Sequence, residues 1–239
     1  MRRIVLFVEG DDDRALLDAL ADARLLPTEL QISRQQAAGW ANLYADVATF
    51  VRARDGASGL AIALRDVDSP EEEQSHVDQF LRLLDGPKPI PEPGNGRVRA
   101  WEVAGGGRAA LVLVGLEGDD ALAALGVRRY AGDDYVLRLV LDEPVYGGIP
   151  EQAAVPHALA KAKLETLARE LCDNGIGVDT SKRLLHLLRA ITGFRASPAT
   201  FAQRVLGAAR GVLDSEAMAA SLSPLLGDIA CAARLLRPS

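Results

Sequence analysis

The chain has 239 residues, 49% of them apolar, with a formal net charge of −6. That is enough for one large domain or an α/β domain with a helical annex, and it excludes an intrinsically disordered chain. The acidic balance excludes a protein that holds nucleic acid through bulk charge alone. The charge is uneven: residues 1–150 carry 16 basic and 25 acidic side chains, whereas residues 151–239 carry 11 and 8. No apolar run approaches the roughly 20 residues of a membrane span. Glu9 ends the short apolar run after Met1-Arg2-Arg3, so a signal peptide is not expected and the expected location is cytoplasmic. Cys172 and Cys231 fit buried free thiols in a reducing compartment, and two Cys with three scattered His show no zinc spacing.

In chain order, residues 4–8 form a continuous apolar run bounded by charge and read as a buried strand. A helix follows over 11–25, its first turn crowded with aspartates that suit the positive end of the helix dipole. A short strand at 30–33, a helix at 39–54 and a third strand at 59–64 come next. Ser69-Pro70 opens a helix running to 84, with Glu71, Glu72 and Glu73 in its first turn. This β-α-β-α-β-α order predicts a parallel sheet with right-handed crossovers.

Residues 86–96 contain four prolines and read as a loop. Residues 98–103 form a fourth strand, and 109–114 a fifth strand or an extension of it. A short helix is expected over 119–125. The segment 133–141 has strand-like composition, but Asp133-Asp134 at its head favours a capped helix. The segment 144–156 combines two glycines and three prolines and marks a boundary, giving an α/β domain over 1–148 and a helical domain over 149–239. Four helices are expected there: 157–172, one capped by Asp179-Thr180 through 191, one opened by Ser197-Pro198 to 213, and one opened by Ser223-Pro224 to 236.

Two acidic motifs carry the chemical signal. Ile4-Val5-Leu6-Phe7-Val8 runs into Glu9-Gly10-Asp11-Asp12-Asp13, and Leu60-Ala61-Ile62-Ala63-Leu64 runs into Arg65-Asp66-Val67-Asp68. Strand ends of a parallel α/β sheet lie side by side along the edge where such sheets place their sites. Glu9, Asp66 and Asp68 are therefore expected to converge, and carboxylates brought together need a cation between them. Magnesium suits such a set, since it needs only one or two carboxylates beside water and phosphate oxygens. Each motif also has a plainer reading, as acidic residues that cap and solvate a helix start.

Val8-Glu9-Gly10, then Asp13, with Asp66-Val67-Asp68 ending the third strand, resembles the TOPRIM domain over about residues 1–115. That domain is shared by topoisomerases, bacterial primases, nucleases of the OLD (overcoming lysogenisation defect) family and small stand-alone proteins. The resemblance implies a three-layer TOPRIM-like α/β fold with a mainly parallel central sheet, followed here by the all-helical part. It implies Glu9, Asp66 and Asp68 as catalytic residues and ligands of Mg2+ or Mn2+, with Asp13 as a supporting acid. It further implies phosphodiester chemistry on DNA or RNA, most simply as a nuclease, with room for a protein partner or a homodimer. Arg65 is a candidate for a phosphate contact or for a pair with a neighbouring carboxylate. Ser69-Pro70-Glu71 after the D-x-D departs from topoisomerases and primases and is closer to the stand-alone and nuclease-like members. The nuclease branch also uses a lysine beyond the D-x-D; Lys161 and Lys182 are candidates that no motif selects. Basic residues of the last third, Lys182, Arg183, Arg189, Arg195, Arg204 and Arg210, either steer a polyanion or form ordinary solvated helix faces.

Two other readings use the same residues. One is a non-catalytic, metal-binding TOPRIM adaptor. The other is a receiver-like phospho-acceptor domain with Asp66 as acceptor, which lacks the required hydroxyl after the fourth strand and any lysine between Lys88 and Lys161. There is no G-x-x-x-x-G-K-[ST] loop and no G-x-S-x-G elbow.

Overall fold

The computed structural model describes residues 3–33, 39–52, 59–66, 70–91, 96–116, 118–149 and 154–237. The contacts divide the chain into two compact units, Met1–Val114 with Pro224–Ser239, and Gly115–Ser223. The expected boundary at 148/149 lies inside the second unit. It follows a change in composition, whereas this division follows packing.

The first unit is α/β. It is built from β1 (Ile4–Phe7), α1 (Asp11–Asp22), β2 (Leu30–Ile32), α2 (Trp40–Val51), β3 (Leu60–Asp66), α3 (Pro70–Leu83), β4 (Lys88–Ile90), β5 (Val98–Glu102) and β6 (Arg108–Val114). These strands form one six-stranded sheet in the order β2-β1-β3-β6-β5-β4. β2, β1, β3 and β6 pair in parallel, and β5 is antiparallel to both β6 and β4.

The antiparallel part departs from an all-parallel sheet for a simple reason. Only five residues separate Glu102 from Arg108, and a parallel crossover needs a dozen or more. β6 therefore returns beside β5 as a hairpin and then pairs with β3 on its far side. This order also removes the receiver-like reading. Receiver-type sheets run 2-1-3-4-5, with the next crossover strand beside the third, whereas here the neighbour of β3 is β6. β4 lies in the proline-rich stretch expected to be loop. It is an edge strand paired only with β5, where a proline such as Pro89 is tolerated.

Both faces of the parallel core are buried, which is why its strands read as unbroken apolar runs. On one face small residues alternate with large ones across the strands: Ala63 stands between Phe7 and Leu111, and Ala61 beside Ala109. That leaves room for rings from the helices. Phe50 of α2 meets Phe7 edge-on at 5.6 Å, Tyr44 of α2 meets Phe80 of α3 at 5.2 Å, and Phe80 meets Trp101 of β5 at 5.6 Å. On the opposite face, Arg108 donates from Nη1 to the Arg237 carbonyl at 2.7 Å. Arg237 in turn pairs with Glu29. The last helix is thus tied back to the α/β unit.

α2 approaches the start of β3 and β6 so closely that no side chain fits. A Cβ on Gly59 would lie 2.4 Å from the Phe50 carbonyl oxygen, and one on Gly107 would lie 2.2 Å from that of Val51. Gly107→Ala is expected to destabilise the protein by about 1–3 kcal/mol through overpacking against backbone, measured as a lower midpoint in urea unfolding.

The second unit contains α4 (Asp120–Ala124), α5 (Asp133–Val140), α6 (Glu143–Gly147), α7 (His157–Asp173), α8 (Ser181–Thr192), α9 (Pro198–Val212) and α10 (Ser215–Ser221). α11 (Ser223–Leu236) leads back to the first unit. α6 falls within the segment read as a boundary, and α10 was not expected. Both are short and start at an aspartate whose carboxylate accepts a backbone N–H: Asp142 from Val145 at 3.2 Å, and Asp214 from Ala217 at 2.7 Å. Thr180 and Ser197 cap α8 and α9 in the same way, and Gly193 ends α8 in the left-handed conformation at φ 75°.

Asp134 organises this unit. It is fully buried and ion-dipole contacts surround it: Oδ2 accepts from the backbone N–H of Leu116 and of Ala131, each at 2.9 Å, and Oδ1 accepts from the Ser181 hydroxyl at 2.5 Å. The carboxylate thus joins the segment just after β6, the turn before α5 and the first turn of α8. Asp134→Ala removes the acceptor for all three donors, and a loss of about 3 kcal/mol or more is expected, measured by thermal and urea denaturation.

Candidate metal centre

The parallel register of β1 and β3 builds the acidic edge. Ile4 stands beside Leu60 and Phe7 beside Ala63, so both chains leave the sheet on the same side. Glu9 follows β1 by two residues, and Arg65 and Asp66 are the last residues of β3. Glu9 Oε2 accepts from Arg65 Nη1 at 2.7 Å, a charge-assisted hydrogen bond across 56 residues of sequence. Arg65 is only 8% exposed, whereas the Glu9 side chain keeps 30% of its surface open. Arg65 therefore holds a neighbouring carboxylate, and it does so from inside the fold.

Gly10 follows Glu9 and precedes α1. Its backbone N–H donates to Asp13 Oδ2 at 3.2 Å. Asp13, three residues into the turn, thereby closes the loop that carries Glu9. This is the reach of a capping-box acid. Asp66 is half-buried at the end of β3, paired in register with Val114 of β6. Asp68 lies outside the described residues. Among the described residues no group of three or more His, Cys, Asp or Glu is arranged to hold a metal ion.

The other candidates are placed as follows. Lys161 and Lys182 are exposed on α7 and α8 of the second unit. Arg183 pairs with Asp179 at 2.9 Å, and Arg189 donates to the Ala196 carbonyl. Arg195, Arg204 and Arg210 are exposed. Cys172 is exposed, contrary to the expectation of a buried thiol, because it falls on the outer face of α7 near its end; Cys231 is half-buried. His76 is buried on α3, His157 Nε2 contacts the Leu141 carbonyl at 3.0 Å, and His186 lies 3.4 Å from Arg189 Nη1. Tyr44 and Tyr135 are fully buried. Tyr146 donates to the Val155 carbonyl at 2.8 Å, and burial pushes its hydroxyl above the ordinary 10.0. None of these three phenols is placed as an exposed nucleophile. Among the described residues no helix is long and apolar enough to cross a membrane.

Glu9→Gln removes a charge from the partner of a buried guanidinium while keeping its shape. A loss of about 1–3 kcal/mol is expected, more than for an exposed carboxylate, read from urea unfolding beside an Asp18→Asn control on the surface of α1.

No family model matches this chain, and no curated protein matches it either. Among solved structures it is similar to the C-terminal region of the Burkholderia pseudomallei OLD protein, at 16% identity and a TM-score of 0.44, over 96% of this chain and 99% of that one.

Proposed function

We propose that this chain is a TOPRIM-like protein that uses Mg2+ or Mn2+, held by Glu9, Asp66 and Asp68, for phosphodiester hydrolysis on DNA or RNA. The observation that carries the reading is the register of β1 against β3, which delivers Glu9 and Asp66 to one edge of a mainly parallel sheet. The D-x-D spacing in the sequence supplies the third carboxylate.

The donor set suits a hard cation that keeps much of its water. Magnesium takes oxygen ligands and often only one or two carboxylates from the protein. Glu9 gives one oxygen, Oε2, to Arg65 and retains Oε1. When bound, the ion would polarise a phosphoryl oxygen and lower the pKa of a water. The chain's own residues orient. Arg65 fixes one oxygen of Glu9 and so sets the direction of the other. Asp13 fixes the Gly10 amide and so the loop on which Glu9 sits. Arg65 is a positioning residue in this reading, because it is buried and directed at Glu9.

The same ion pair favours a second reading, the non-catalytic adaptor. A guanidinium built into the fold already compensates Glu9 without any metal.

The two are separated by calorimetric titration of Mg2+ and Mn2+ into the wild type and into Asp66→Ala/Asp68→Ala, with cleavage assays on single- and double-stranded DNA and RNA. Metal binding and metal-dependent cleavage, both abolished in the variant, are the expected result. Carboxylate-dependent binding with no cleavage of any substrate would establish the adaptor. Binding that is absent, or unchanged in the variant, would overturn both.

A further inference from the structure

The second unit contains a cleft of about 780 Å3 between the α4–α5 segment and α7. Its size falls in the range of about 300–1,000 Å3 typical of small-molecule sites. Four cations line it, Arg128, Arg138, Lys161 and Arg169, against two carboxylates, Asp142 and Glu165. Lys161, Glu165, Ala168, Arg169 and Cys172 recur along α7 at spacings that put them on one face of the helix.

The charges there are not spent on one another. Arg138 pairs loosely with Asp119 at 3.6 Å, and Asp142 is occupied in capping α6. Among the described residues, the side chains of Arg128, Lys161 and Arg169 make no hydrogen bond or ion pair. Glu165 stands one turn from both Lys161 and Arg169 on α7, yet four cations against two carboxylates leave the lining with an excess of positive charge, which raises the local concentration of anions. The apolar floor is small, made by the buried Leu125 and Ala168 with the half-buried Leu141.

We propose that this cleft binds a phosphorylated organic anion of nucleotide size. The guanidinium forks of Arg128 and Arg169 suit phosphate oxygens, which they can bind in pairs, and Lys161 adds a point charge. The apolar floor takes the organic body. The phosphate can belong to a free mononucleotide or to the end of a nucleic-acid strand, since both present the same chemistry. The inference does not rest on the metal site, whose residues belong to the first unit.

Cys172 provides a local reporter. It is exposed, it lines the cleft, and its Sγ lies 3.9 Å from where a Cβ on Gly126 would stand. In the full chain carrying Cys231→Ser, binding of AMP and of inorganic phosphate is measured by calorimetry at near-physiological salt, and alkylation of Cys172 by N-ethylmaleimide is followed with each. AMP is expected to bind saturably, more tightly than phosphate, and to slow the alkylation. Arg128→Ala/Arg169→Ala should weaken AMP by about tenfold or more, and Lys161→Gln should weaken it less. Lys163→Ala, on the same helix but outside the cleft, should leave it unchanged. These side chains are exposed, so melting temperatures should match the wild type. A 5′-phosphorylated oligonucleotide that competes with AMP and protects Cys172 identifies a strand end as the source; one that does neither identifies the free nucleotide. No protection of Cys172, AMP binding no tighter than phosphate, or binding unchanged in the double variant would overturn the proposal.

Discussion

The parallel pairing of β1 with β3 is the constraint on which the rest of the first unit depends. It aligns two apolar runs drawn from positions about 56 residues apart, so that whatever follows them in sequence emerges at one edge. The same pairing sets small residues beside large ones, Ala63 beside Phe7, and so makes the depth into which α2 and α3 place their rings. Gly59 and Gly107 complete the arrangement at the opposite end of the strands. They let the last turn of α2 sit directly on the start of β3 and β6. A helix that rests on backbone has little freedom to shift, and strands that cannot shift hold Glu9 opposite Arg65.

Two carboxylates in this protein are compensated in different ways, and the difference decides which of them a solute can reach. Asp134 is sealed inside the second unit and accepts from two amides and a hydroxyl, all contributed by the fold. Such a group is satisfied and inaccessible, and it stabilises the junction of three segments. Glu9 faces one buried guanidinium and otherwise stands partly open to solvent. A carboxylate fixed by one oxygen and open at the other retains capacity for a ligand. Acidic residues alone do not make a site. Fixed orientation together with access distinguishes Glu9 from Asp134.

Much of the fold was legible in the sequence because its parallel strands are buried on both faces and therefore read as plain apolar runs. Helix starts were legible where Thr180 and Ser197 cap them, since the cap is a local signal. The parts that were not legible depend on partners distant in sequence. β4 contains Pro89 and looks like loop until β5 supplies the single edge it needs. α6 and α10 are too short to show a period. Asp134 looks like a cap beside Asp133, and only the fold brings Leu116 and Ser181 to it. At the candidate site, the acidic edge was legible as two motifs after two strands. The choice that Arg65 makes between a phosphate and Glu9 was not, because it rests on the burial of the guanidinium.

The sequence also shows where net charge misleads. An acidic chain is a poor polyanion binder on average, yet binding responds to the potential over a few ångströms, because charges further apart than about 8 Å are screened at physiological salt. Counting charges over residues 151–239 gives only a small basic excess, spread over several helices. Folding changes that distribution. Arg183 and Arg189 are engaged with Asp179 and with the Ala196 carbonyl, so they contribute less free charge than their number suggests. Arg128, Lys161 and Arg169, which no motif marks, are left around a single cleft with an apolar floor. The cations able to attract an anion are those that the fold leaves in excess and gathers together. Arg128 lies before the composition boundary and Arg169 after it, so no division of the sequence by composition would have joined them.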